Sequence, residues 1–172
     1  MRAGLASRRR TAVFATLMLA AARCAADGGA NERRNAFNDP FFQMAAGIAG
    51  CPLPAGPYIT DEERRLQSHN RAERGTTCWL AGQCERPKFY DYDAEIAAAL
   101  QAALLERNPF ASATLWATVQ GRIVFIEGCV ADEADATPLE SYVMATPNVT
   151  RAIAIVHVLG TRKPPYKLRT AP

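Results

Sequence analysis

The fifteen residues WATVQGRIVFIEGCV, 116–130, constrain the fold more than any other stretch. With a hairpin between the two runs, Val119 of the first and Val124, Ile126 and Val130 of the second share one face, and Trp116 of the first and Ile123 and Phe125 of the second share the other. Successive strand residues point to opposite faces, so a sheet built from this segment is apolar on both sides. Helices in a small two-layer domain cover only one side. Something else has to cover the second.

The neighbouring residues supply the first layer. Residues 113–119 and 122–130 are β-like runs joined at Gln120-Gly121, a hairpin signal. Before them, DAEIAAALQAALLERN places Ile96, Leu100 and Leu104 at i, i+4 and i+8, a helix capped by Asp93 and stopped by Asn108-Pro109. After them, Thr137-Pro138-Leu139-Glu140 reads as a capping box with Pro138 at the first helical position, and Leu139, Tyr142 and Val143 form the buried stripe. Pro147-Asn148 breaks that helix, and VTRAIAIVHVL is a last strand. The order over 93–159 is helix, strand, strand, helix, strand. It predicts an α+β fold, a two-layer αββαβ unit with a three-stranded sheet and two helices.

Residues 1–26 read as a signal peptide. A basic start (Arg2, Arg8, Arg9, Arg10) is followed by the apolar TAVFATLMLAAA and then by small residues. The apolar run is too short for a resident membrane span, and no later segment is long and apolar enough, so no transmembrane helix is expected in the mature chain. Arg23 stands where a lipid-attachment signal needs a small residue, which argues against anchoring at Cys24. Five of the 20 basic residues and none of the 17 acids lie in 1–26, leaving about −2 on the remainder. That balance offers no footprint for nucleic acid. Four cysteines remain, Cys51, Cys78, Cys84 and Cys129, an even number that in an exported chain reads as disulfides with three possible connectivities.

Residues 27–92 form an N-terminal extension of short helices and loops. NDPFFQMAAGIAG predicts a short helix with Asp39 at the N-cap and Gly50 as a stop. CPLPAGPY is extended. Thr60 and Glu63 form a capping box opening a polar surface helix that ends at Gly75, pinned at its ends by Cys51 and Cys78. Residues 75–92 read as a turn-rich loop, and 160–172 as a flexible tail.

The stretch from 93 resembles the BON domain of exported bacterial proteins. The resemblance rests on DAEIAAALQAAL, on VQGRIVFIEGCV with Gly121 and Gly128, and on TPNVTRAIAIVHV, where Asn148-Val149 stands in place of the family's Gly-Val. DPFFQ, AGCPLPAGP and ERGTTCWLAGQC, outside that stretch, look like an extension carried by some proteobacterial members. The resemblance implies a non-catalytic module that attaches to phospholipid membrane surfaces or to other envelope components, in the periplasm, supporting envelope integrity or stress tolerance. The alternative is a protein–protein subunit or accessory of a secretion or channel complex, with an envelope protein as partner.

On the sheet's second face the parity places Trp116, Ile123, Phe125, Ile153 and Ile155, together with Cys129 and His157. A patch of that size either binds something or is covered. A disulfide from Cys129 to Cys51, Cys78 or Cys84 would draw the extension across it as a cover; the rival is an open binding face.

Catalytic chemistry finds little support. Cys78 and Cys84 are too widely spaced for a C-x-x-C redox pair. His69 sits on a polar helix and His157 in a strand, with no recognised zinc spacing. The acid runs DYDAE and DEAD lie at helix starts, where capping explains them. No hydrolase elbow, phosphate loop or zincin motif is present. No catalytic residue, metal or cofactor is expected.

Overall fold

The computed structural model describes residues 32–169. The signal-peptide reading and Cys24 lie outside them. The chain runs β1 (Arg34–Asn35), β2 (Phe41–Ala46), β3 (Tyr58–Ile59), α1 (Asp61–Leu80), a 3-10 turn (Phe89–Tyr92), α2 (Asp93–Glu106), β4 (Thr114–Gln120), β5 (Ile123–Val130), a second 3-10 turn (Glu133–Asp135), α3 (Ala136–Met144) and β6 (Arg151–Val158). The fold is α+β.

The main sheet has four strands in the order β2-β4-β5-β6, and β1 pairs with β3 separately. Strands β2, β4 and β5 are antiparallel, while β6 is parallel to β5. The expected three-stranded sheet is therefore extended by one strand, taken from the residues expected to be a helix. In 41–46 the edge of β4 offers hydrogen bonds, and pairing there outweighs the weak helical signal of an Asp-Pro start and three alanines. A register shift between Gln43 and Ala45 lets the short strand follow β4.

The first layer forms by the predicted periodicity. Ile96, Leu100, Leu115, Ala117, Val119, Val124, Ile126, Leu139 and Val143 are all essentially inaccessible and make one core. The hairpin turns one residue later than expected, at Gly121-Arg122, with φ of 60° and 64°. Two consecutive left-handed residues make the turn whose twist suits a two-residue hairpin. Asp93 does not cap α2. It is buried at the helix's first residue, and its carboxylate accepts from the amides of Gly121 (2.7 Å) and Arg122 (2.8 Å), tying the turn to the helix. The Thr137 capping box does not form, because α3 already begins at Ala136. Glu140 instead accepts from the Ala154 amide at 2.8 Å, and Arg162 donates to the Val156 carbonyl at 3.4 Å, so outer backbone groups of edge strand β6 are occupied.

Gly128 has φ of 152°, and a Cβ built there would lie 2.1 Å from the Thr114 carbonyl oxygen. Backbone cannot yield as a side-chain tip can. Gly128→Ala is expected to lower stability by about 3 kcal/mol, read by urea unfolding; an alanine variant as stable as the parent would mean β4 and β5 are less tightly apposed.

Helix α1 opens with the predicted box: Thr60 accepts from the Glu63 amide, and Glu63 accepts from the Thr60 amide. It does not stop at Gly75 but continues to Leu80. Gly75 is there for closeness, since a Cβ would come within 3.2 Å of the Tyr90 ring. The helix end is fastened locally by Cys78–Cys84, while Cys51 joins Cys129 in β5. Over its described residues, 160–169, the expected flexible tail is tied down. The Ala55 amide donates to the Lys167 carbonyl (2.7 Å), the Arg169 amide to the Leu53 carbonyl (3.0 Å), and buried Tyr166 donates to the Pro52 carbonyl (3.0 Å).

Candidate functional site

The second face of the sheet is covered, and from two directions. At one end the Cys51–Cys129 bond pins the proline-rich strap 51–57, and the tail runs antiparallel against it through a Pro54–Leu168 bridge. Under this cover Cys129 and His157 are fully buried, and Trp116 on the same face is nearly so. His157 Nε2 lies 3.4 Å from the Tyr166 hydroxyl and 3.6 Å from Cys129 Sγ. Of the residues expected on an open face, Ile123, Phe125, Ile153 and Ile155 are half-buried, not open.

At the other end α1 lies over the face, tied at its start by Arg33, Arg34 and Lys167 to Glu63 and Asp61 and at its middle by a buried polar anchor. Arg71 donates two bonds to Asp39, at 2.9 and 2.5 Å, and its guanidinium lies between the rings of Phe37 (4.0 Å) and Tyr90 (4.4 Å). Gln120 also donates to Asp39, at 3.1 Å. Asp39 is thus the sheet-side half of an ion pair and not a helix cap. Arginine suits the role because its planar fork pairs with a carboxylate while its faces stack on rings.

The helix does not seal against the sheet. Between them lies a cleft of about 520 Å³. Leu66, Gln67, Asn70 and Arg74 line it from α1, and Thr118, Gln120, Phe125 and Glu127 from the sheet. On the sheet side, two of these lack partners. Thr118 Oγ1 is buried with no hydrogen bond among the described residues. Glu127 is pushed up to about 7 by burial alone, with neither a charge nor a hydrogen bond offsetting it. Arg64 Nε and His157 Nδ1 are also buried without a hydrogen bond among the described residues, but neither lines the cleft; Thr118 and the desolvated Glu127 share one of its walls, which makes it the candidate site.

Glu127 carries a stability cost with a definite sign. Unfolded, the group ionises above its ordinary 4.5; folded, only above about 7. Stability is therefore lost as pH rises between these values. The interval corresponds to about 3 kcal/mol, reduced to about 1–2 kcal/mol for residual water access. Glu127→Gln is expected to raise stability by that amount at pH 8 and to change nothing at pH 4, measured by urea unfolding at both. Equal effects at the two pH values would show that the side chain is freely hydrated.

Sequence reasoning placed Glu127 inside a packing motif. The available signal was its parity, which sets an acid beside Phe125 and Cys129 on an otherwise apolar face. Nothing local distinguished Arg71 from the other arginines of a polar helix. Gly121 closes the hairpin beside Phe89 and Tyr90, and Gly128 lies between strands, so both serve packing.

No family model, curated protein or solved structure matches this chain.

The geometry alone describes what the site can do. Two disulfides indicate an oxidising environment. No helix among the described residues is long and apolar enough to cross a membrane, and no group of three His, Cys, Asp or Glu residues among them could hold a metal ion. His69 is exposed and pairs with Glu73 at 3.1 Å. His157 lies under the strap and is not part of the cleft wall. The candidate site is a cleft lined by polar side chains, with Thr118 Oγ1 and Glu127 unpartnered on its sheet wall among the described residues.

Proposed function

We propose that this chain is an exported, non-enzymatic binding module of the bacterial cell envelope, of the BON type over 93–159, that takes its ligand in the cleft beneath α1. The observation that carries the reading is the pair of unpartnered groups, Glu127 and Thr118, on one cleft wall. The family reading is supported by the αββαβ order with its parallel last strand. It is also supported by Asn148, which stands where the family has glycine and adopts φ of 68°, a conformation asparagine tolerates better than most residues. Export is supported by the disulfides.

Ligand-observed NMR with a panel of amino acids, amino sugars, short peptides and nucleosides tests this. Compounds that bind the oxidised protein and are lost in Asn70→Trp, which fills the cleft from its exposed helix side, support the reading. Binding untouched by that change, or none at all, overturns it.

A second reading, attachment to a phospholipid surface, is favoured by Trp79 and Leu80, which are 47% and 80% exposed at the end of α1. Aromatic and aliphatic side chains at a helix tip suit a membrane interface. Co-sedimentation with neutral phosphatidylcholine vesicles that disappears in the double alanine variant of Trp79 and Leu80 supports it; no co-sedimentation removes it.

A further inference from the structure

Resting on the reading of the cleft as a binding site, we infer that its ligand is a short peptide with free ends, the amino group docked on Glu127 and the carboxylate on Arg74.

The charges of the cleft reduce to these two. Asp39 and Arg71 neutralise each other in a bidentate pair. Glu127 has no cation beside it. Arg74 is exposed and enters none of the salt bridges among the described residues. The cleft is therefore dipolar, and its two poles are complementary to an ammonium and a carboxylate.

The register sets the spacing of the poles. Glu127 lies opposite Trp116, Phe125 opposite Thr118, and Ile123 opposite Gln120. From the level of Glu127 to that of Gln120 is four residues of strand, about 13 Å. Arg74 stands at the Gln120 end, where it also lines a smaller hollow with Tyr90 and Gly121. A free amino acid is too short to reach both poles. An extended chain advances by about 3.3–3.6 Å per residue, so three or four residues fit.

The middle of the cleft suits peptide groups. Thr118 Oγ1 is the unsatisfied buried hydroxyl, 7% exposed as a residue. It sits midway between the poles, flanked by Gln120 and faced by Gln67 and Asn70 from α1. Hydroxyl and carboxamide groups both donate and accept, as a peptide backbone requires. A diamine would satisfy Glu127 but set a second cation against Arg74. A dicarboxylate would meet the reverse conflict.

Calorimetric titration of the purified oxidised protein with trialanine, N-acetyl-trialanine and trialanine amide tests the assignment. Trialanine is expected to bind. Acetylation is expected to weaken binding tenfold or more in the parent protein and hardly at all in Glu127→Gln, which has already lost the partner. Amidation is expected to do the same in the parent and hardly at all in Arg74→Ala. Equal affinity for the three peptides overturns the assignment. So does failure of all three in a protein that still binds another compound in a manner sensitive to Asn70→Trp; the cleft then remains a site, with a different ligand. If no compound binds in the cleft, both this inference and the reading beneath it fail.

Discussion

Replacing Cys51 and Cys129 together by alanine is expected to lower stability by about 4 kcal/mol, the larger of the two disulfide effects. The bond closes 78 residues, and the entropy removed from an unfolded chain by a loop of that length corresponds to about 4.5 kcal/mol. Cys78–Cys84 closes only six, for which the same relation gives about 2 kcal/mol. The longer bond also has a structural task. It fixes the strap 51–57 to β5, and the tail, whose Tyr166 packs on His157, is hydrogen-bonded to that strap. Its loss should therefore raise the binding of a hydrophobic dye to the folded protein, which removal of the shorter bond should not. Urea unfolding of the two paired alanine variants gives the order. A smaller loss for the 51–129 variant, with no added dye binding, would show that the strap stays in place by packing alone.

Arg71→Ala is expected to cost about 3–5 kcal/mol, because it strands a buried carboxylate. Asp39 is 4% exposed, and without Arg71 it keeps only the bond from Gln120 among side-chain donors to its carboxylate. Phe37 and Tyr90 lose the plate between them. Arg71→Lys keeps the charge but neither the fork nor the stacking, and should recover less than half of the loss. Hydrogen exchange gives the location: amides of α1 should exchange faster while those of β4 and β5 keep their protection. Uniform acceleration across the sheet would mean that the anchor supports the whole core and not the helix alone.

The two-faced pattern of 116–130 was readable because strand parity is a local property, and the core it predicts is the one present. That a disulfide from Cys129 would draw a cover over the second face was also legible; that its partner is Cys51 was not, since four cysteines leave three connectivities. Strand β2 was hidden for a different reason. Its helical reading used only the residues themselves, whereas its strand conformation depends on hydrogen bonds offered by β4, which follows it by some seventy residues. The cleft was hidden for the same reason. Asp39, Arg71 and Tyr90 come from three separate segments, each with an adequate local explanation: cap, solvated helix face, loop aromatic. Thr118 was unremarkable until the structure left its hydroxyl without a partner.

The two disulfides differ in span, and this bears on how the correct pairing is chosen while the chain emerges amino end first. Cys51 appears before Cys78 and Cys84, and its eventual partner appears last. During that interval Cys78 has two possible partners. Closing the six-residue loop to Cys84 is favoured over closing the 27 residues back to Cys51 by about 1.3 kcal/mol of chain entropy, in agreement with the native pairing. Once the small ring has closed, Cys51 has only Cys129 to wait for among these four. The hexaresidue ring at the end of α1 thus acts as a sorting step in oxidation, removing two competitors before the strand that carries the true partner has been made.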